Sequence, residues 1–476
     1  MAQKEIAVLD VGSTYTKCVA LLDSEQGYSV LGQCNAPTTI EDITIGVEEA
    51  FREIAKQLGR REFRPAEIRA CSSAAGGLRM VAMGFMSRVT AKAAKEAAMT
   101  AGARVLEVLS DADAPDMKVE ILREISPDII LLAGGTDGGQ EDSLVSDARL
   151  IAKSGVRAAV IIAGNVRAQD GAIAALQGSL ARAIPVANIM PTIHELNLRP
   201  AREAIHREFI KEIVRAPGLR KLLEIVSDRE VIPTPGAVLM GAELLSLGTP
   251  RNKGLQEIVV LDIGGATTDV HSVLPKLAGL PIEERGLIIT DAKQVLYRTV
   301  EGNLGLRVSA RGIFDAAGPV KVLERAGLAG KMSESTALEF GAKLEKEHSY
   351  TPQNPAEKAL EKGMAVTALE IAIRRHAGHV AIEVDPVMGI IPGMPIGRDL
   401  RDVRKVIAVG GVFQHMPEEE GIDLVRRAFA NPGPSLLPEK FDVAIDRDYI
   451  LYAAGILSKV RPDAAFQFAA GRLHFR

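Results

Sequence analysis

The sequence predicts an α/β fold with two halves, each built on a β-hairpin with a small polar turn, and an inserted βαβ block between them. Three observations carry this. The stretch Glu257–Val273, E-I-V-V-L-D-I-G-G-A-T-T-D-V-H-S-V, reads as strand, turn and returning strand. A matching device occupies Ile6–Leu22, roughly 250 residues earlier. From about Val89 to Val231, apolar β-like runs alternate with helical patterns, the signature of βαβ units and a parallel sheet.

In the later hairpin, Ile258–Leu261 is short, apolar and β-branched, as a buried strand should be. Asp262 ends it, Gly264, Gly265, Ala266, Thr267 and Thr268 form the turn, and Val270–Val273 returns. Such a turn is rich in N–H and hydroxyl donors and closes over phosphates without side-chain clash. A carboxylate at the strand end suits Mg²⁺ held through water. In the earlier hairpin Asp10 takes that place, followed by Gly12, Ser13, Thr14 and Lys17, with Cys18–Leu22 as the returning strand. One Asp-x-Gly turn is an ordinary hairpin turn. Two in matching strand context suggest two halves that serve one nucleotide. Lys17 reads equally as a phosphate-neutralising cation or a surface lysine.

Composition narrows the class. A chain of 476 residues is long enough for about three domains. Lys+Arg 57 against Asp+Glu 61 is near balance, so nucleic acid is not an expected partner. Cys18, Cys34 and Cys71 are scattered without C-x-x-C, which reads as reduced thiols rather than zinc or disulfide. No apolar run reaches membrane-spanning length, and the N-terminus leads straight into a strand, so a cytoplasmic protein is expected.

Along the chain, Ile45–Leu58 has helical spacing, and Ile68–Ser73 reads as a strand leading to the small-residue loop Ser72–Leu78. That loop suits either phosphates or close packing. Within the block, helices are expected at Lys92–Ala101, Met117–Ile125, Glu141–Lys153, Ala168–Ala181 and His194–Val214. Strands are expected at Arg104–Leu109, Asp128–Ala133, Arg157–Ala163 and Ile184–Ile189. The loop Gly134–Gly139, with Asp137, follows a strand end and reads as a tight turn or an anion site; it lacks the Walker and G-x-G-x-x-G spacings. Pro233–Ser246 and Arg447–Ser458 read as helices with small faces, open to close approach. Thr290–Gly302 and Pro355–His376 read as long helices, and Lys405–Val409 as a buried strand running into Gly410 and Gly411, bare backbone for a purine and ribose. His271 reads as a strand residue, and His376 as a cation at a helix end, where the dipole favours it.

The order of these elements resembles the actin, sugar-kinase and heat-shock-chaperone ATPase superfamily. They stand as two phosphate loops, two connecting helices and the Gly410-Gly411 adenosine loop. D-V-G-S-T-Y-T-K at Asp10–Lys17, A-G-G-T-D-G-G at Ala133–Gly139 and D-I-G-G-A-T-T-D-V at Asp262–Val270 resemble the GlmL/MutL family, accessory proteins of glutamate mutase and related adenosylcobalamin enzymes. The mismatch-repair proteins that share the name are not resembled. The resemblance covers essentially the whole chain. It implies two RNase H-like, actin-like ATPase lobes: 1–89 with 232–246 and 447–476 as the first, 247–446 as the second, and 90–231 as an inserted α/β domain. It also implies ATP and Mg²⁺ as cofactors, with Asp10 and Asp262 as catalytic and metal-holding carboxylates. Gly12, Ser13, Thr14, Lys17, Gly264, Gly265, Ala266, Thr267, Thr268, Gly410 and Gly411 would contact nucleotide. The implied function is an ATP-driven reactivating chaperone that releases damaged cobalamin from the mutase, whose subunits are the expected partners; a homodimer stays open. The insertion is expected to dock the mutase, since no Asp-x-His-x-x-Gly run suggests histidine-on cobalamin binding. A small-molecule kinase and a hydantoinase- or oxoprolinase-like amidohydrolase fit the same hairpins. An iron–sulfur activator would need paired cysteines, and a nucleotide-binding scaffold without chemistry stays open.

Overall fold

A computed structural model describes residues 3–12, 15–38, 42–73, 79–85, 94, 104–192, 197–215, 219–276, 295–384, 391–414 and 416–476. The expected helix Lys92–Ala101 and the loop Ser72–Leu78 lie largely outside the described residues, as do Ser13 and Thr14.

The chain forms two compact units that divide within helix Thr234–Leu247, between Val238 and Leu239. In the first, strands β1 (Lys4–Val11), β2 (Tyr15–Ser24) and β3 (Gly27–Pro37) form an antiparallel meander. Strands β4 (Glu67–Ser72) and β10 (Val231–Pro233) extend the sheet in parallel on the other side of β1, giving the order β10-β4-β1-β2-β3. Helix Ile43–Gln57 covers it. Asp42 caps this helix by accepting from Thr44 N at 3.0 Å, and Val47, Ala50 and Ile54 bury its inner stripe.

The second unit repeats the topology. Strands β13 (Ile258–Ile263), β14 (Thr268–Val273) and β15 (Leu296–Glu301) form the meander; β18 (Lys405–Val409) and β19 (Asp442–Ile445) run parallel to β13, in the order β15-β14-β13-β18-β19. Two-residue pairs, β11 (Gly248–Thr249) with β12 (Asn252–Lys253) and β16 (His379–Val380) with β17 (Pro395–Ile396), complete its strands. Two lobes of RNase H-like order are therefore present. The expected helix over Thr290–Gly302 is replaced, in its described part, by β15. Its L-Y-R-T-V-E alternation pairs with β14, and β-branched and aromatic side chains suit that half-buried edge.

The inserted sheet is parallel, in the order β6-β5-β7-β8-β9, from β5 (Arg79–Met83), β6 (Arg104–Leu109), β7 (Ile129–Leu132), β8 (Ala159–Ile162) and β9 (Arg182–Pro185). This is the flavodoxin-like doubly wound order. It starts before residue 90, because β5 belongs to it. One face packs under helices Pro115–Ile125, Asp142–Ser154 and Gln169–Leu176. The other, with Ile129, Leu131 and Ile161, shares a continuous core with Leu9, Val47 and Ile54 of the first lobe. Residues 447–476 lie in the second unit, not with the first lobe as expected. There helix Leu451–Ser458 packs on helix Pro462–Ala470, which lies against β11 and β12; helix Leu451–Ser458 also reaches helix Thr234–Leu247. A Cβ at Gly241 would lie 2.3 Å from the Leu451 carbonyl oxygen, so the two small helix faces do meet at backbone distance.

Candidate functional site

The two hairpins share a closing geometry. Gly12 N donates to Tyr15 O at 3.0 Å and Gly264 N donates to Thr267 O at 2.8 Å, each two residues past the strand-end aspartate. Asp10 stands opposite Lys17 in the register, and Asp262 opposite Asp269.

The Asp10 carboxylate is buried. Its Oδ2 accepts from Lys17 Nζ at 3.0 Å; its Oδ1 accepts from Thr234 Oγ1 at 2.6 Å and from Cys71 Sγ at 3.5 Å. Lys17 thus points inward rather than to solvent. Three strands and a helix start converge here, because β1 lies between β2 and β4, and β10 leads directly into Thr234. Burial, and then the Asp10 charge, push the Cys71 thiol well above its usual pKa, so it stays protonated as a donor. All three cysteines are free thiols.

The second turn is braced from behind. Leu306 N donates to Gly264 O at 3.0 Å, Arg307 N and Val308 N donate to Gly265 O at 2.8 Å, and Ser309 Oγ donates to Ala266 O at 2.5 Å. Thr268 Oγ1 donates to Leu304 O at 2.6 Å, and Gly305 N to Ser309 Oγ at 2.8 Å. The turn's carbonyls are therefore taken. The N–H groups of Gly265, Ala266 and Thr267 have no hydrogen-bond partner among the described residues. Successive N–H groups turned away from satisfied carbonyls make a cradle for an anion. The Thr267 hydroxyl donates to Asp269 Oδ2 at 3.0 Å, and Arg298 Nε on β15 donates to Asp269 Oδ1 at 2.8 Å. Both members of that ion pair are buried.

Strand β18 places its end beside Asp262, which pairs with Val409. Gly410 follows at φ 138, where a Cβ would lie 2.3 Å from Ile263 O, so glycine is required. Gly411 has nothing within 4 Å of a built Cβ, leaving its face open.

Two histidines are buried at β14, His271 on the strand itself and His376 on helix Pro355–His376. His271 is fully buried; neither ring nitrogen has a partner among the described residues, and burial pushes its pKa down to about 3. His376 is also fully buried, with Nε2 2.8 Å from Ser272 Oγ and Nδ1 2.9 Å from Thr299 Oγ1. Burial, then Arg398, hold its pKa well below normal, so it is neutral and not the helix-end cation expected from the sequence. The helix turns it inward onto two hydroxyls.

In the insertion, the Gly134–Gly139 loop is an internally tied turn. Asp137 Oδ1 accepts from Val166 N at 3.1 Å and Asn188 Nδ2 at 2.9 Å, while Asn165 bonds Gly138 N, Gly139 O and Gln140 O. Thr234, Cys71, Arg298 and the 304–309 brace escaped the sequence reading. Asp269 stood in the motif, with nothing to show that a cation would seat it.

A family model described as MutL protein matches residues 6–473. Protein MutL of Clostridium tetanomorphum is 38% identical over 477 residues, with 96% of each chain covered. The chain belongs to the MutL family. Among solved structures, this MutL-family chain is similar to acetone carboxylase in nucleotide-free form, at 12% identity and TM-score 0.40, covering 96% of this chain and 70% of that one. It is also similar to diol dehydratase-reactivating factor in nucleotide-free form, at 11% identity and TM-score 0.34, covering 96% and 99%. No helix among the described residues is long and apolar enough to cross a membrane.

Proposed function

We propose that this chain is an ATP-binding reactivating chaperone of an adenosylcobalamin-dependent mutase, glutamate mutase or a relative, and couples ATP hydrolysis to release of damaged cobalamin. The observation that carries nucleotide binding is the second turn, with carbonyls satisfied by residues 306–309 and the N–H groups of Gly265–Thr267 unpartnered among the described residues. The Gly12–Tyr15 closure repeats the same device in the first unit. The mutase role follows the family resemblance.

The residues fit Mg²⁺, which is commonly bound through one or two carboxylates, water and substrate phosphates. Asp10 uses three of about four lone-pair directions on Lys17, Thr234 and Cys71, which fixes the carboxylate and leaves one direction for a bound water. Mg²⁺, when bound with ATP, neutralises phosphate charge. Gly265–Thr267 would donate N–H groups to the phosphates, Lys17 would add positive charge beside Asp10, and Asp262 would orient water. Gly410 and Gly411 would admit the nucleoside against bare backbone. Phosphoryl transfer depends on such positioning and electrostatics. A nucleotide shifts an opening equilibrium only by its difference in affinity for the two states, so each step of the cycle must change these contacts.

The test is phosphate release from Mg-ATP by the purified protein, with Asp262→Ala as control. Release that falls by about 10²–10³ in the variant supports the assignment; equal release in both removes Asp262 from it. Inactivated mutase is then added to read reactivation. The insertion is our proposed mutase-docking surface. Because its sheet shares a core with the first lobe, the test uses surface changes rather than deletion. Met117, Val166 and Leu180 are exposed apolar residues there. Changing all three to Ser should abolish co-purification with the mutase and leave nucleotide binding intact; undiminished co-purification would overturn the docking role.

A further inference from the structure

Three helices of the second unit, Pro319–Ala326, Pro355–His376 and Glu418–Phe429, border a cavity of about 300 Å³. Its lining divides by chemistry. Ala326, Pro355 and Ala359 are small and apolar; every other lining side chain is cationic: Arg325, Lys358, Lys362 and Arg427. No lining residue is acidic, although the whole chain carries a formal charge of −4. The excess of positive charge is confined to the lining, because over their whole lengths the three helices carry eight Lys and Arg against eight Asp and Glu.

Two of the four lining cations have carboxylate partners. Arg325 pairs with Glu370 at 2.7 Å, but that buried carboxylate also serves Lys321 and Arg374, each at 3.1 Å. Lys362 pairs with Glu420 at 2.6 Å. Arg427 spends an N–H on the Arg325 carbonyl, which carries no charge. Lys358 has no ion-pair partner among the described residues, one helical turn from Lys362 on the same face. A Cβ at Gly363 would lie 2.7 Å from the Ala326 Cβ, so two of the helices touch at backbone distance beside the cavity. The first turn of helix Pro355–His376 adds the positive end of its dipole.

Ligand sites typically join an apolar concave lining to a few convergent polar groups. Here those groups share one sign, and Arg and Lys bind carboxylate and phosphate. We propose that this cavity binds a compact organic polyanion, with two or more carboxylate or phosphate groups on a small apolar body. The site is separate from the hairpin turns, and the proposal does not depend on the ATPase reading.

The test is isothermal titration of the full chain with benzene-1,3,5-tricarboxylate and with pyrophosphate, at low salt and without Mg²⁺. Saturable one-site binding is expected for at least one probe, and the tighter probe names the preferred anion. Lys358→Ala with Lys362→Ala should weaken it at least tenfold, with unchanged thermal unfolding. Ala359→Leu, which fills the cavity and leaves every charge in place, should weaken it similarly. Saturating ADPNP should leave it unchanged. No saturable binding of either probe, equal affinity in both variants, or displacement by ADPNP would each overturn the proposal.

Discussion

Replacing His271 with Leu should make the protein more stable, an unusual outcome for a substitution at the centre of a buried strand. The imidazole is fully buried on β14, and neither nitrogen finds a partner among the described residues. A buried polar group without a hydrogen bond costs about 1–3 kcal/mol, and an apolar side chain of similar volume removes that cost. The expected gain at pH 7.5 is therefore about 1–3 kcal/mol. Acid sharpens the contrast. Burial lowers the folded-state pKa from 6.5 to about 3 against the pull of Asp269, with Arg298 reinforcing the shift. The unfolded chain takes up a proton below about pH 6.5, and the folded chain does so only near 3. Titration of His271 therefore leaves stability unchanged above pH 6.5 and lowers it as the pH falls toward 3, by about 1.4 kcal/mol per pH unit. At pH 5 the loss is about 2 kcal/mol. His376, with a depressed pKa, adds a loss in the same direction. Urea denaturation of parent and His271→Leu at pH 7.5, 6 and 5 reads both effects. The variant should unfold at higher urea and show a shallower decline with acid. A variant less stable at pH 7.5, or an unchanged acid slope, would falsify the account of this strand.

Two more perturbations probe the site. In Gly305→Ala the new Cβ would meet Gly265 O and the Ala266 carbonyl carbon at 2.3 Å, forcing the turn to move; nucleotide affinity by titration should fall at least tenfold, and unchanged affinity would show that the brace does not set the turn. Thr234→Val removes the 2.6 Å hydrogen bond to the buried Asp10 carboxylate and should cost about 1.5–3 kcal/mol in urea unfolding. Thr234→Ser, which keeps the hydroxyl, should recover most of that loss, and equal destabilisation by both would point to packing instead.

The hairpins were legible because everything that defines them is local: an apolar β-branched run, an aspartate at its end, and glycines for the turn. The meeting of helix Thr234–Leu247 with helix Leu451–Ser458 was partly legible, since small residues on a helix face announce close approach without naming the partner. What completes the site was not legible. Thr234 reaches Asp10 across 224 residues, and Ser309 reaches Ala266 across 43. Single hydroxyls carry no periodicity, and only the folded sheet brings them together. Strand β15 was misread because a short apolar run fits helix and strand alike until its pairing partner is known. His376 was misread because a helix-end position says nothing of which way the side chain faces.

The insertion has a consequence for synthesis. In the host sheet β4 and β10 are immediate neighbours, yet about 160 residues separate Ser72 from Val231. At translation rates of 5–20 residues per second, β4 leaves the ribosome roughly 10–30 s before the strand that must zip onto it. During that interval one edge of the nascent sheet waits open while a whole flavodoxin-like layer is made. The layer's apolar underside, which in the finished molecule shares the lobe's core, is available to shelter that lobe before its last strand arrives.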